Sequence, residues 1–353
     1  MRILLTTGRL TWSTPTTYAQ GLIRGLLDRG HEVQVAGMGG PLQEGLRELG
    51  CEVYEYHRDP LGYSKRRFLG FLREFDPEIV HAVGGREGLS LGSLVTRDLH
   101  RPLVHTVHSW LPEDAVRPLP PTICGVIAVN QDVREHLVNQ LRIAKGLIRV
   151  IPYGVDAPRL EPEAADGDST RIPVVGTVGR LERGRRFEEF LKIAHLVRQR
   201  LDEILFMIAG EGPDEARLRR EAAARGLEDA VTVATPQAGI EHVYRASDVM
   251  VLVSDWGGMG IHLLEGMAQE RPVVATGSGE VLSLLGESGI CELARAEDHE
   301  ELAESVAALI RDPERRAALG RRAREYVLEH FPLATAIERT EDYYRETIDR
   351  VIA

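Results

Sequence analysis

The sequence predicts an α/β protein made of two doubly wound domains, and three observations predict it. Short apolar runs rich in Val and Ile alternate with helical patterns through the first part of the chain, an arrangement that calls for a parallel sheet with crossover helices. A stretch rich in Pro, Glu, Ala and Asp between Pro152 and Pro173 then breaks the rhythm and reads as a linker. The alternation resumes after it, so a second sheet follows. A chain of 353 residues is long enough for both.

In the first domain, expected over residues 1–155, the strand runs are 3–6, 32–36, 52–54, 79–82, 103–107, 126–129 and 148–151. These short β-type runs alternate with helical patterns. The linker is placed at 156–172, and the second domain at 173–333, with strands at 174–178, 205–209, 231–233, 249–253 and 273–275. Phe331-Pro332 breaks the last helical region, and a final helix covers about 334–352. In open sheets of this kind ligands bind beyond the strand C-termini, here facing an interdomain cleft.

Composition narrows the function classes. A content of 43% hydrophobic and 27% charged residues is ordinary for a soluble globular chain. The formal charge of -11 argues against nucleic-acid binding, because affinity for a phosphate backbone needs a net basic face. Lys65, Lys145 and Lys192 are the three lysines among 43 basic residues, a bias read as genome composition before function. Cys51, Cys124 and Cys291 are far apart, so neither a disulfide framework nor a zinc site is expected, and a cytoplasmic location fits. The apolar start is too short for a signal-peptide core, and no run predicts a transmembrane segment. Peripheral membrane contact stays open.

The strongest chemical signal follows the run at 249–253. Asp255, Gly257, Gly258, Met259 and Gly260 lie in a turn that enters a helix near Ile261, and that helix carries Glu265. Glycines let backbone amides approach a ligand, those amides sit at the positive end of the helix, and Glu265 can accept both hydroxyls of a sugar diol. The stretch reads as a nucleotide site. After the run at 174–178 come Gly179-Arg180-Leu181 and then Arg185, two guanidiniums near a helix start. They can neutralise a diphosphate as it leaves, although solvated surface charge competes as an explanation in so arginine-rich a chain.

Weaker signals surround these two. Gly210-Glu211-Gly212-Pro213 resembles the opening of a dinucleotide fingerprint, but Glu215 replaces the third glycine and Pro213 removes an amide, which argues against a dehydrogenase. A structural turn and ligand contact both stay open there. Asp166-Gly167-Asp168 follows no strand and predicts no metal site. His108 ends the 103–107 strand, a position that suits function or a backbone hydrogen bond. Ser13-Thr14-Pro15-Thr16 reads as a helix N-cap that either holds a phosphate or simply caps. Trp12, Tyr18 and Trp110 suit an acceptor wall or, more simply, core packing. Lys65-Arg66-Arg67 reads as a solvated helix start.

Taken in order, these pieces resemble retaining glycosyltransferases of the GT-B fold, two Rossmann-like domains, and especially glycosyltransferase family 4. The resemblance covers essentially the whole chain. It rests on Gly179-Arg180-Leu181 with Arg185 in place of a Lys, on Gly210 to Pro213, on Ala246-Ser247-Asp248, on Arg149 to Asp156 with Tyr153 where Asn is usual, and on Arg29-Gly30-His31-Glu32-Val33. It implies a nucleotide-sugar donor in the second domain, with Arg180 and Arg185 on the diphosphate and Glu265 on the ribose. It further implies that His108 reaches the donor sugar and that the last helix crosses back onto the first domain. Cofactor and metal are expected to be absent, and attack on the same face retains the anomeric configuration.

Two departures stand out. The family's donor motif has two glutamates separated by seven residues, and the first falls on Gly257 here, with Asp255 on the same turn as a candidate substitute. Ser13-Thr14 stand where a Gly-Gly pair is usual. The expected function is therefore transfer of a hexose-type sugar from a UDP-sugar to an unidentified acceptor, the base being read near Thr235-Pro236. The alternative is a binding subunit of the same fold that has lost catalysis.

Overall fold

The computed structural model describes residues 1–57, 63–109, 120–158, 171–183, 185–236, 239–253, 260–276, 281, 285, 288–295 and 297–352. The chain divides into two units, Met1–Gly154 with Leu333–Ala353, and Val155–Pro332.

In the first unit, β1 (Arg2–Thr6), β2 (Glu32–Gly37), β3 (Glu52–Glu55), β4 (Ile79–Ala82), β5 (Leu103–Val107), β6 (Ile123–Ala128) and β7 (Ile148–Val150) form a parallel sheet. Their order is β3-β2-β1-β4-β5-β6-β7. The helices are α1 (Thr14–Asp28), α2 (Gln43–Glu48), α3 (Tyr63–Phe75), α4 (Gly85–Leu99) and α5 (Gln131–Asn139). The two-residue period of a strand sorts β1 between two cores. Ile3 and Leu5 pack with Leu22, Ile23 and Leu26 of α1. Leu4, pointing the other way, packs with Phe68 and Leu72 of α3 and with Leu91 and Val95 of α4. Both faces are covered, which is why the strand reads as unbroken apolar sequence.

The second unit holds β8 (Val174–Val178), α6 (Phe187–Arg198), β9 (Leu205–Ala209), α7 (Glu215–Ala224), β10 (Val231–Ala234), α8 (Ile240–Ala246) and β11 (Val249–Leu252). After these come α9 (Ile261–Ala268), β12 (Val273–Thr276), β13 (Glu292–Ala294), α10 (His299–Arg311) and α11 (Pro313–His330). Its sheet, also parallel, runs β10-β9-β8-β11-β12-β13. The two-domain α/β class and the strand runs foreseen from sequence are all present; β13 is the addition. With only Glu-Leu-Ala, it has no apolar run to reveal it and exists through pairing with β12. Asp298 and Asp312 cap α10 and α11 by accepting from the amides of Glu301 and Arg315, each at 2.9 Å.

Val155 belongs with the second unit, where its amide donates to Phe331 O at 2.9 Å. The chain then returns, and α12 (Leu333–Ile352) packs in the first unit. A Cβ on Gly25 of α1 would lie 2.5 Å from Ile337 Cγ1, so the absence of a side chain there sets how closely α1 and α12 approach. Tyr343 accepts from Val126 N at 3.1 Å and donates to Leu147 O at 2.8 Å, and Tyr344 bonds His81 Nδ1 at 2.5 Å. His81 Nε2 reaches Thr106 Oγ1 at 2.7 Å. Burial, reinforced by the neighbouring His105 and His108, holds His81 well below the usual imidazole range, so this network is neutral.

Glu341 of α12 is the ionic counterpart. Its carboxylate is 4% exposed and takes Arg29 Nε at 2.6 Å and Arg345, with His31 Nε2 lying 3.2 Å away. Burial pushes this carboxyl up, but the Arg29 hydrogen bond and the charges of Arg345, Arg29 and His31 outweigh it and bring the pKa below the usual 4.5. A lowered carboxylate pKa stabilises the fold fully above the ordinary value and loses that contribution as pH falls through the folded value. At pH 7, Glu341→Gln is expected to cost about 1–2 kcal/mol in urea unfolding. The gap from wild type should close as the pH is taken below 4.5.

Candidate active site

In the second unit the residues singled out from sequence sit on neighbouring strand ends. The loop after β8 carries Arg180 and Arg185, Gly210 follows β9, Thr235 follows β10, and Gly260 and Glu265 follow β11. Because β8 lies between β9 and β11, the connections leaving β8 and β11 run in opposite directions along the sheet. That is a topological switch point, where a doubly wound sheet opens a crevice.

Backbone contact binds the first loops tightly. Gly179 N donates to Ala209 O at 3.0 Å, Gly210 N to Ala234 O at 2.9 Å, Leu181 N to Glu211 O at 3.0 Å and Asp214 N to Leu181 O at 3.0 Å. A Cβ on Gly210 would lie 1.9 Å from Gly179 O, and one on Gly212 would lie 2.2 Å from Leu181 O. These two glycines are thus required by the neighbouring loop, the structural side of the two readings open for this turn. Arg180 and Arg185 converge on Glu182, whose Oε2 takes Arg180 Nε at 2.8 Å and whose Oε1 takes Arg185 Nε at 3.4 Å. All three side chains are more than a third exposed, so this ion-paired cluster adds little to stability. It holds two cations together beside the start of α6.

Gly260 has φ 45°, a left-handed conformation suited to glycine, and stands directly before α9. Ile261, the first helical residue, is buried. Glu265 Oε2 accepts from the Tyr244 hydroxyl at 2.7 Å and lies 3.3 Å from His262 Nδ1, while Tyr244 OH and His262 Nδ1 are 3.0 Å apart. Burial first, then the charge of Glu265, pushes the Tyr244 hydroxyl well above the usual phenol range and keeps it a donor. Asp255, Gly257, Gly258 and Met259 lie outside the described residues, as do Trp110, Asp166 and Asp168.

The first unit positions the remaining candidates. His108 follows β5; its Nε2 donates to Val83 O at 2.8 Å and its Nδ1 bonds Tyr153 OH at 2.9 Å. The two rings stack, 10° from parallel with centroids 5.9 Å apart, and Tyr18 meets His108 edge-on at 5.1 Å. The backbone bond therefore fixes the tautomer, and Tyr153, the departure noted in sequence, is what holds the other nitrogen. Tyr18 packs against the core with its hydroxyl 3.4 Å from Thr106 Oγ1. Burial pushes that hydroxyl up to about 12. Ser13 caps α1 in an extended conformation, and its hydroxyl bonds Thr11 O at 3.2 Å and Thr16 Oγ1 at 3.1 Å; no side-chain cap hydrogen bond forms. Thr14 opens the helix, with Pro15 in its first turn.

Sequence reading missed Glu182, Tyr244 and His262. His262 was within reach, three residues before Glu265 on one helix face. Tyr244 was not, because the bond spans two helices.

Two family models match the chain, "Glycosyltransferase Family 4" over residues 16–159 and "Glycosyl transferases group 1" over residues 164–326. Among curated relatives, 2-deoxystreptamine glucosyltransferase of Streptomyces kanamyceticus is 26% identical over 269 residues, 73% of this chain and 67% of the relative. Alpha-D-kanosaminyltransferase of the same organism is 29% identical over 251 residues, covering 68% of this chain and 64% of that one. Among solved structures, Anabaena Alr3699/HepE in complex with UDP-glucose superposes with a TM-score of 0.81 at 18% identity, over 98% of this chain and 99% of that chain. That likeness concerns the fold.

The loop contact at Gly212 is directly testable. Gly212→Ala should lower stability by about 1–3 kcal/mol in urea unfolding, because a carbonyl oxygen must move. Gly70→Ala, in α3 with nothing within 4 Å of the added carbon, should instead raise stability, by about 0.5–1 kcal/mol.

Proposed function

From a chain that belongs to the GT-B-fold glycosyltransferases, matched by family 4 and group 1 models along its length, we propose an anomer-retaining enzyme. It moves a hexose-type unit from a nucleotide diphosphate sugar, taken as UDP-linked, to an acceptor held by the first unit. The observation that carries this reading is the placement of the Arg180–Arg185 loop and the Glu265 helix on adjacent strands at the switch point of the second sheet.

In this reading Arg180 and Arg185 take the diphosphate, and Glu182 keeps them together until it arrives. The amides at the start of α9, at Gly260 and Ile261, add the positive end of a helix. Charge developing on the leaving phosphate is met by fixed cations and dipoles, so no metal or other cofactor is needed for departure. Glu265 takes the ribose diol, and Thr235 lies on the base side. His108 contacts the sugar only by exchanging its bond to Tyr153 for one to the ligand, since Val83 holds its other nitrogen. The departing phosphate helps to accept the acceptor's proton on the face it leaves, which retains configuration.

A second reading, a nucleotide-sugar-binding subunit without transfer, is favoured by one observation: Gly257 offers no carboxylate where the family has a glutamate. One series separates the two. Binding of UDP, GDP and ADP is measured first, then turnover of sugars on the preferred nucleotide, with the product anomer read by NMR. Transfer with the donor's configuration is expected, and Arg180→Ala or Arg185→Ala should each lower kcat by about a hundredfold or more. Unchanged turnover in both variants removes the arginine assignment. Binding with neither transfer nor hydrolysis moves the chain to the second reading.

A further inference from the structure

We infer that Tyr244 and His262 are positioning residues that aim Glu265 at the nucleotide ribose, by occupying one of its carboxylate oxygens and leaving the other for the diol. The inference rests on the reading of Glu265 as the ribose group and goes beyond it by stating how the carboxylate is held.

The geometry is an accounting of lone pairs. A carboxylate offers about four acceptor positions, two on each oxygen. Tyr244 OH at 2.7 Å and His262 Nδ1 at 3.3 Å both fall on Oε2. Among the described residues, Oε1 keeps its pair, which matches the two hydroxyls of a ribose. Tyr244 is 1% exposed, and its ring comes from α8 while Glu265 comes from α9. Its hydroxyl therefore cannot turn to water and has the carboxylate as its acceptor. With a proton on His262 Nδ1, the imidazole donates to both Tyr244 O and Glu265 Oε2, closing a ring of three groups. Glu265 on an exposed helix would sample several rotamers and lose that freedom on binding. The Tyr244–His262 pair removes the loss beforehand.

The test compares UDP, GDP and ADP with their 2′-deoxy counterparts by calorimetry on the full chain. For the nucleotide that binds, wild type should prefer the ribose form by about tenfold or more, and Glu265→Ala should erase the preference. Tyr244→Phe keeps the ring and loses the hydrogen bond, so the ratio should fall to about twofold or below. His262→Asn, which retains an N–H near the Nδ1 position, should keep the ratio, and His262→Leu should lower it. A ratio unchanged in Tyr244→Phe, while Glu265→Ala erases it, overturns the inference and leaves the ribose reading of Glu265 standing. A wild type blind to the 2′ hydroxyl, or one that binds none of the nucleotides, overturns both. Where circular dichroism shows Tyr244→Phe unfolded, the His262 pair decides, and equal ratios in its Asn and Leu variants count against the inference.

Discussion

Val174 and Asp248 hold the second unit in the arrangement on which its site depends. The Asp248 amide donates to Val174 O at 2.7 Å, and the Val174 amide donates to the Asp248 carboxylate at 2.8 Å. Arg171 completes the clasp at 2.5 Å. This exchange sets β8 against β11 with Val175 beside Val249. A slip by one residue would turn every side chain of the strand to the opposite face. It would also move the Arg180 loop along the sheet relative to Gly260 and α9. The clasp lies at the N-terminal ends of the strands, and its effect appears at the other end, where the loops diverge.

Those loops are shaped by contrasting means. The turns after β8 and β9 meet backbone to backbone, and Gly210 and Gly212 after β9 answer to carbonyl oxygens of the loop after β8. Glu265, by comparison, is held by side chains from two helices. Glu182 lies between these cases: its ion pairs with Arg180 and Arg185 are exposed and add little to stability, so they can break without unfolding anything. Rigid backbone and loosely held charge thus lie side by side at these strand ends.

The first unit spends its polar groups differently. His81, Thr106, Tyr18 and Tyr344 satisfy one another inside the core, joining α1 and α12 to the sheet through neutral hydrogen bonds. His108 and Tyr153 continue this cluster toward the strand end. The histidine most suggestive of chemistry in the sequence is thereby tied into the scaffold, and Tyr153, in the place where Asn is usual, does the tying.

The sequence by itself determined the α/β class, the two sheets and nearly every strand, because buried parallel strands must be apolar on both faces and so announce themselves in one dimension. It also placed Gly260 and Glu265 on a strand-turn-helix unit, since turn chemistry and helix starts are local. The tertiary structure alone decided the strand order, the existence of β13, the convergence of Arg180 and Arg185 on Glu182, and the capture of Glu265 by Tyr244. The strand order and the Tyr244–Glu265 bond join residues on separate elements, β13 depends on an edge pairing with no apolar signature, and the Arg180–Glu182–Arg185 cluster depends on how one irregular loop folds back on itself. Local sequence patterns record which face a residue presents, and only packing decides what that face meets.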